Sequence, residues 1–140
     1  MVTPEAINLM LAQAWPTAKV ICLEVSSDQV LAKLEPSLSQ LRPGGFISGP
    51  TQFALADAAL WFLASGAHGR VEPMALTSEL SIRYLRPAIG STLYAKAELA
   101  RAGKRAVVGS VRIWVNEDQH RPTAVAQGTY HLPLNNEESK

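Results

Sequence analysis

The chain has 140 residues, 47% hydrophobic and 18% charged, with a formal net charge of +1. That length supports one domain, residues 1–140, with a full core. The near-neutral balance excludes the broad basic face of a nucleic-acid binder, though not a small basic pocket for a phosphorylated ligand.

The N-terminal segment MVTPEAINLMLAQAWP lacks the basic start and small-residue cleavage site of a signal peptide. It predicts a short helix over residues 3–15. Thr3 is its N-cap and Pro4 suits its first turn. Ile7, Leu11 and Trp15 recur at helical spacing, and Pro16 ends the run. Lys19 to Val25 and Gln29 to Leu34 follow, two β-rich runs joined by SSD, and read as a hairpin. Cys22 is the only cysteine, so there is no internal disulfide and no cysteine-built zinc site. Within KVICLEV it reads as a buried core thiol.

Pro36 to Pro50 holds three glycines and three prolines, too many for a regular element. Then TQFALADAALWFLASG predicts a central helix over about residues 50–65, with Pro50 in its first turn and Gly66 at its far end. Apolar all round, it should be buried all round. Alanines 54, 56, 58 and 59 would let it lie close against a sheet. The run falls short of the roughly 18 unbroken apolar residues of a membrane span, because Asp57 interrupts it.

Past HGRVEP the texture alternates. Residues 75–85, 92–101, 106–115 and 123–132 read as four long strands, expected as antiparallel neighbours. AGK with Gly103 makes a hairpin turn, and the tail 134–140 reads as frayed. The layout is α+β: one curved antiparallel sheet wrapped around the central helix. Nothing marks the chain for export or a membrane, which fits a cytoplasmic protein.

Asp57 is the anomaly. A carboxylate among Phe, Ala, Leu and Trp loses hydration, which disfavours its charged form and moves such a group toward the working range of a general base. The plainer alternative is an aspartate that caps a loop or pairs with a buried arginine.

Three segments together resemble the hotdog-fold acyl-CoA thioesterases, in particular the phenylacetate-degradation (PaaI-like) branch. SGPTQFALADAA, Ser48 to Ala59, sits where that branch has His-Gly-Gly followed by Ala-Asp on an apolar helix. TSELSIRYLRPA, Thr77 to Ala88, is similar to the family's strand ending in aromatic-Leu-X-Pro-Ala. AGKRA is similar to its glycine-plus-basic turn. The likeness runs from about Lys19 to Leu132.

The resemblance implies a hotdog fold, pairing into a homodimer or homotetramer, and an active site at the dimer interface. It implies cleavage of an acyl-CoA thioester without metal or cofactor. Asp57 would act as general base or as nucleophile through an anhydride; the sequence leaves both open. Gly49 would lend its backbone N–H to the oxyanion, and Thr77 would position water. Ser48 stands where the family usually has His, and Arg42 about where many members have Asn. Gln52 could supply a polar group in their place. Lys104 and Arg105 at the turn, with Arg83 and Arg86, are the cations available to coenzyme A phosphates. Phe53, Leu60 and Trp61 could border the acyl group.

Other chemistries lack their residues. GFISGP does not match a Gly-X-Ser-X-Gly elbow, and no GxxxxGK[ST] loop is present. His68, His120 and His131 have no partner at metal-ligand spacing. A hotdog hydratase would carry His five residues after the Asp, where this chain has Phe62. The alternative that remains open is a hotdog protein that binds acyl-CoA without turnover, or with very slow turnover. Ser48 and Arg42 favour it.

Overall fold

The computed structural model describes residues 1–133; the tail expected to fray, 134–140, lies outside them. Helix α1 (Pro4–Ala14) starts where the Thr3 hydroxyl accepts the Ala6 amide. Strands β1 (Val20–Val25) and β2 (Gln29–Leu34) form the first hairpin. The Ser26 hydroxyl turns it by accepting the Asp28 and Gln29 amides. The segment expected to be irregular holds a 3-10 turn (Leu38–Gln40) and a two-residue hairpin, β3 (Leu41–Arg42) with β4 (Phe46–Ile47). Gly44 and Gly45 turn it, at φ 91° and 80°. Then come α2 (Gly49–His68), β5 (Leu76–Tyr84), β6 (Leu93–Ala102), β7 (Ala106–Val115) and β8 (Ala124–His131).

Six strands form one antiparallel sheet in the order β1-β2-β6-β7-β8-β5. The four long strands are therefore not all sequential neighbours. β5 pairs with β8, and its connection to β6 passes the two strands between them. Alternation reveals which face a residue takes, not which strand lies beside it.

Helix α2 crosses the inner face of this sheet. The small residues that let it approach lie on the strands as much as on the helix. Gly109 and Gly128 are directly opposed across β7 and β8. A Cβ at Gly109 would stand 2.5 Å from Leu63, and one at Gly128 2.9 Å from Leu60. Leu60 and Leu63 drop into this trough and are fully buried, each contributing about 2 kcal/mol. Ala56 and Ala59 are buried as expected, whereas Ala54 is exposed and Ala58 half-buried. The helix thus keeps one open stripe, Phe53, Ala54, Asp57 and Ala58, and is not buried all round.

Helix α2 also outruns its expected end. Gly66 lies inside it, where a Cβ would meet the Ser26 carbonyl oxygen at 2.2 Å, and Gly69 at φ 87° ends it. Helix α1 covers the free edge of β1. The Asn8 carboxamide donates to the Cys22 carbonyl at 2.9 Å and accepts the Cys22 amide at 2.8 Å, occupying the edge as another strand would. Cys22 is buried, and that burial pushes its thiol up to about 12. Among the described residues no helix is long and apolar enough to cross a membrane.

Candidate active site

Leu60 in its glycine trough sets the height and rotation of α2, and Asp57 follows from it one turn earlier. β5 and β8 bring two hydroxyls to that carboxylate. Thr77 and Tyr130 are register partners across the two strands, both on the inner face. The Thr77 hydroxyl donates to Asp57 Oδ1 at 2.6 Å, and the Tyr130 hydroxyl donates to the same oxygen at 2.7 Å. No hydrogen bond to Oδ2 occurs among the described residues. Asp57 is half-buried rather than sealed in the core. Tyr130 is 6% exposed. Burial holds its hydroxyl well above the ordinary tyrosine range; the Asp57 charge adds to this, and a Thr77 hydrogen bond opposes it.

Gly49 begins α2. As the first helical residue its amide has no partner within the helix, and Pro50 beside it has no N–H to offer. The arm carrying it is pinned. The Ile47 amide donates to the Ala88 carbonyl at 2.8 Å, and the Ser48 amide to the Gln40 carbonyl at 2.9 Å. From the far end of β5 the Tyr84 hydroxyl donates to the Gly49 carbonyl at 2.7 Å. A Cβ at Gly49 would stand 3.1 Å from that hydroxyl, so the contact favours glycine. Burial raises the Tyr84 hydroxyl as well. Neither tyrosine is singled out by sequence reasoning. A tyrosine at an inward strand position reads as core, and Tyr130 meets Asp57 only because β8 neighbours β5.

The remaining sequence-predicted residues divide. Phe53 lies one turn before Asp57 on the open stripe and is 39% exposed. Lys104 and Arg105 turn β6 into β7 at the end of the sheet where Val107 pairs with Tyr130, so they stand at the Asp57 end. The structure does not gather the others there. Ser48 is the N-cap of α2: its hydroxyl accepts the Thr51 amide at 3.2 Å and bonds the Thr51 hydroxyl at 2.6 Å. Gln52 is buried and accepts the Thr123 hydroxyl at 2.8 Å, on another side of the helix from Asp57. Trp61 is buried, its indole donating to the Glu72 carbonyl at 2.8 Å and its ring 5.9 Å edge-on to Trp15. Leu60 is core.

Arg83 pairs with Val125 on the outer face of the sheet, opposite to Asp57. Arg86 donates to the Pro122 carbonyl. Arg42 sits exposed in the small hairpin before α2.

No curated protein matches this sequence. Among solved structures, a candidate thioesterase of Silicibacter sp. TM1040 is 26% identical, over 96% of this chain and 94% of its own, with a TM-score of 0.83. The PaaI protein of E. coli, from the phenylacetic acid degradation operon, is 22% identical over 93% of this chain and 92% of its own, at a TM-score of 0.73. Zebrafish thioesterase superfamily member 2 is 18% identical over 95% and 100%, at 0.77. The last two show a common fold: the antiparallel sheet around a long helix expected of a hotdog protein. The sequence model of the thioesterase superfamily matches residues 44–121, the span from the small hairpin through α2, β5, β6 and β7. This chain is a hotdog-fold member of the thioesterase superfamily.

Proposed function

We propose that the protein hydrolyses the thioester of an acyl-CoA and that Asp57 drives the attack. The observation that carries this reading is the Asp57 carboxylate itself. It stands on the open stripe of an otherwise apolar helix, held through Oδ1 by two hydroxyls, with Oδ2 unclaimed among the described residues. Water adds to the thioester carbonyl as its proton passes to the carboxylate. The tetrahedral oxyanion collapses, the C–S bond breaks, and the departing thiolate takes up a proton. A carboxylic acid and free coenzyme A result. Attack by Asp57 itself, through an anhydride that water then opens, gives the same products.

One protomer does not hold the whole site in this proposal. Gly49 precedes Asp57 by eight residues, about 12 Å along the helix at 1.5 Å per residue, too far for both to serve one carbonyl carbon. A second copy of the chain would supply its Gly49 amide opposite this Asp57. β5 supports such pairing. It is one edge of the sheet and mostly exposed, with Leu76 and Tyr84 among the large exposed side chains and Leu85 just past its end. Phe53 would border the acyl group, and Lys104 and Arg105 would meet coenzyme A phosphates. Arg83, on the outer face, has no part in this arrangement.

The test is thiol release from a panel of aliphatic and aromatic acyl-CoAs. Asp57→Asn should lose roughly 10³-fold in kcat; turnover equal to wild type would remove Asp57 from the mechanism. Sedimentation should find a dimer or tetramer, and a monomer with full turnover would overturn the shared site.

A second reading is favoured by Ser48, whose hydroxyl is committed to capping α2. It is acyl-CoA binding without hydrolysis. Its signature is thermal stabilisation by acyl-CoA with no thiol released.

A further inference from the structure

The geometry points to Tyr130 as the residue that orients Asp57: with Thr77 it commits Oδ1, leaving Oδ2 as the oxygen that works on the substrate. This rests on the thioesterase reading above. An aspartate's terminal torsion is broad and two-fold, so an untethered carboxylate turns freely and presents either oxygen. Here two O–H donors from neighbouring strands meet one oxygen, at 2.6 Å and 2.7 Å. They belong to a register pair, so one stretch of the sheet carries both donors.

The two donors differ in stiffness. Thr77 is exposed on an edge strand, whereas Tyr130 is 6% exposed, with its ring in the core between β5 and β7. Tyr130 is therefore the fixed reference. It also stays a donor, since burial and the Asp57 charge hold its proton in place at ordinary pH. The part expected of Thr77 changes accordingly: its hydroxyl hydrogen goes to the carboxylate, and only its lone pairs face a water.

The experiment measures kcat and KM of thiol release for wild type, Tyr130→Phe, Thr77→Val, the double variant and Asp57→Asn, with melting temperatures for each. Tyr130→Phe keeps the ring and its volume. It should lower kcat roughly 10- to 100-fold while KM stays within about twofold and melting within a few degrees. The double variant should fall little below the worse single variant, since losing either donor frees the carboxylate. A readout independent of turnover is the downfield hydroxyl proton resonance of Tyr130, lost in Tyr130→Phe and displaced in Asp57→Asn.

Wild-type kcat in Tyr130→Phe beside an inactive Asp57→Asn overturns this inference and leaves the thioesterase reading standing. Turnover by Asp57→Asn equal to wild type overturns both. A Tyr130→Phe variant that melts far lower and loses kcat and KM together marks a structural role, and overturns the inference. So does a downfield spectrum identical to wild type.

Discussion

Tyr84 and Tyr130 attach the same helix to the β8-β5 side of the sheet through phenolic O–H groups, one at the helix start and one two turns on. Tyr84→Phe removes a single neutral hydrogen bond, about 1 kcal/mol, and should lower melting by about 4 °C. If the Gly49 amide serves the oxyanion, kcat should fall further than that loss implies while KM holds; steady-state kinetics decides. Cys22 yields a second prediction. Its thiol, pushed up to about 12 by burial, should react with disulfide reagents at pH 8 at least about 100-fold more slowly folded than in urea. Asp57 stands out in the sequence because a charge interrupts a greasy run. Its two hydroxyl partners stand out less. Thr77 reads as a water holder, while Tyr130 lies 73 residues away and becomes a neighbour only through strand order.

Element boundaries were legible to within a few residues, since alternation in strands and helix-forming composition are both local signals. The far end of α2 was not. Gly66 resembles a stop, yet it is the point where the helix passes over the first hairpin, and Gly69 takes the left-handed turn. The two glycines should therefore respond differently to alanine. Gly69→Ala has open space and meets only a backbone penalty of about 1 kcal/mol. Gly66→Ala drives a methyl against the Ser26 carbonyl and should cost about 3 kcal/mol or more. Urea unfolding of the pair measures this, and equal losses would contradict the close approach of α2 to the β1-β2 turn. The open stripe of α2 is not legible in the sequence for a related reason. Composition shows that a helix is apolar, but not that the sheet stops short of covering Phe53 and Ala54.

At the scale of the molecule, two buried groups link stability to alkaline pH. Cys22 and Tyr130 both titrate higher in the fold than in the unfolded chain. Their protonated forms are thus favoured by folding. Their contribution is complete below about pH 9 and is lost as pH rises through 9 to 12 for the thiol and from about 10 upward for the phenol. Melting temperature should fall steeply over that range, and Cys22→Ala should flatten the first part of the fall. The sheet-around-helix architecture itself was legible, because a long apolar helix followed by alternating strands has few ways to bury itself. The crossing that carries β5 past β7 and β8 to the outer edge was not.

That crossing leaves one strand holding α2 at two places. β5 presents Thr77 to the carboxylate near its start and Tyr84 to the glycine arm at its finish. Under the proposed function, whatever grips or tugs this strand would shift the carboxylate of one shared site and the oxyanion donor of the other in one movement, so the paired sites would switch like a latch rather than fade like a dial.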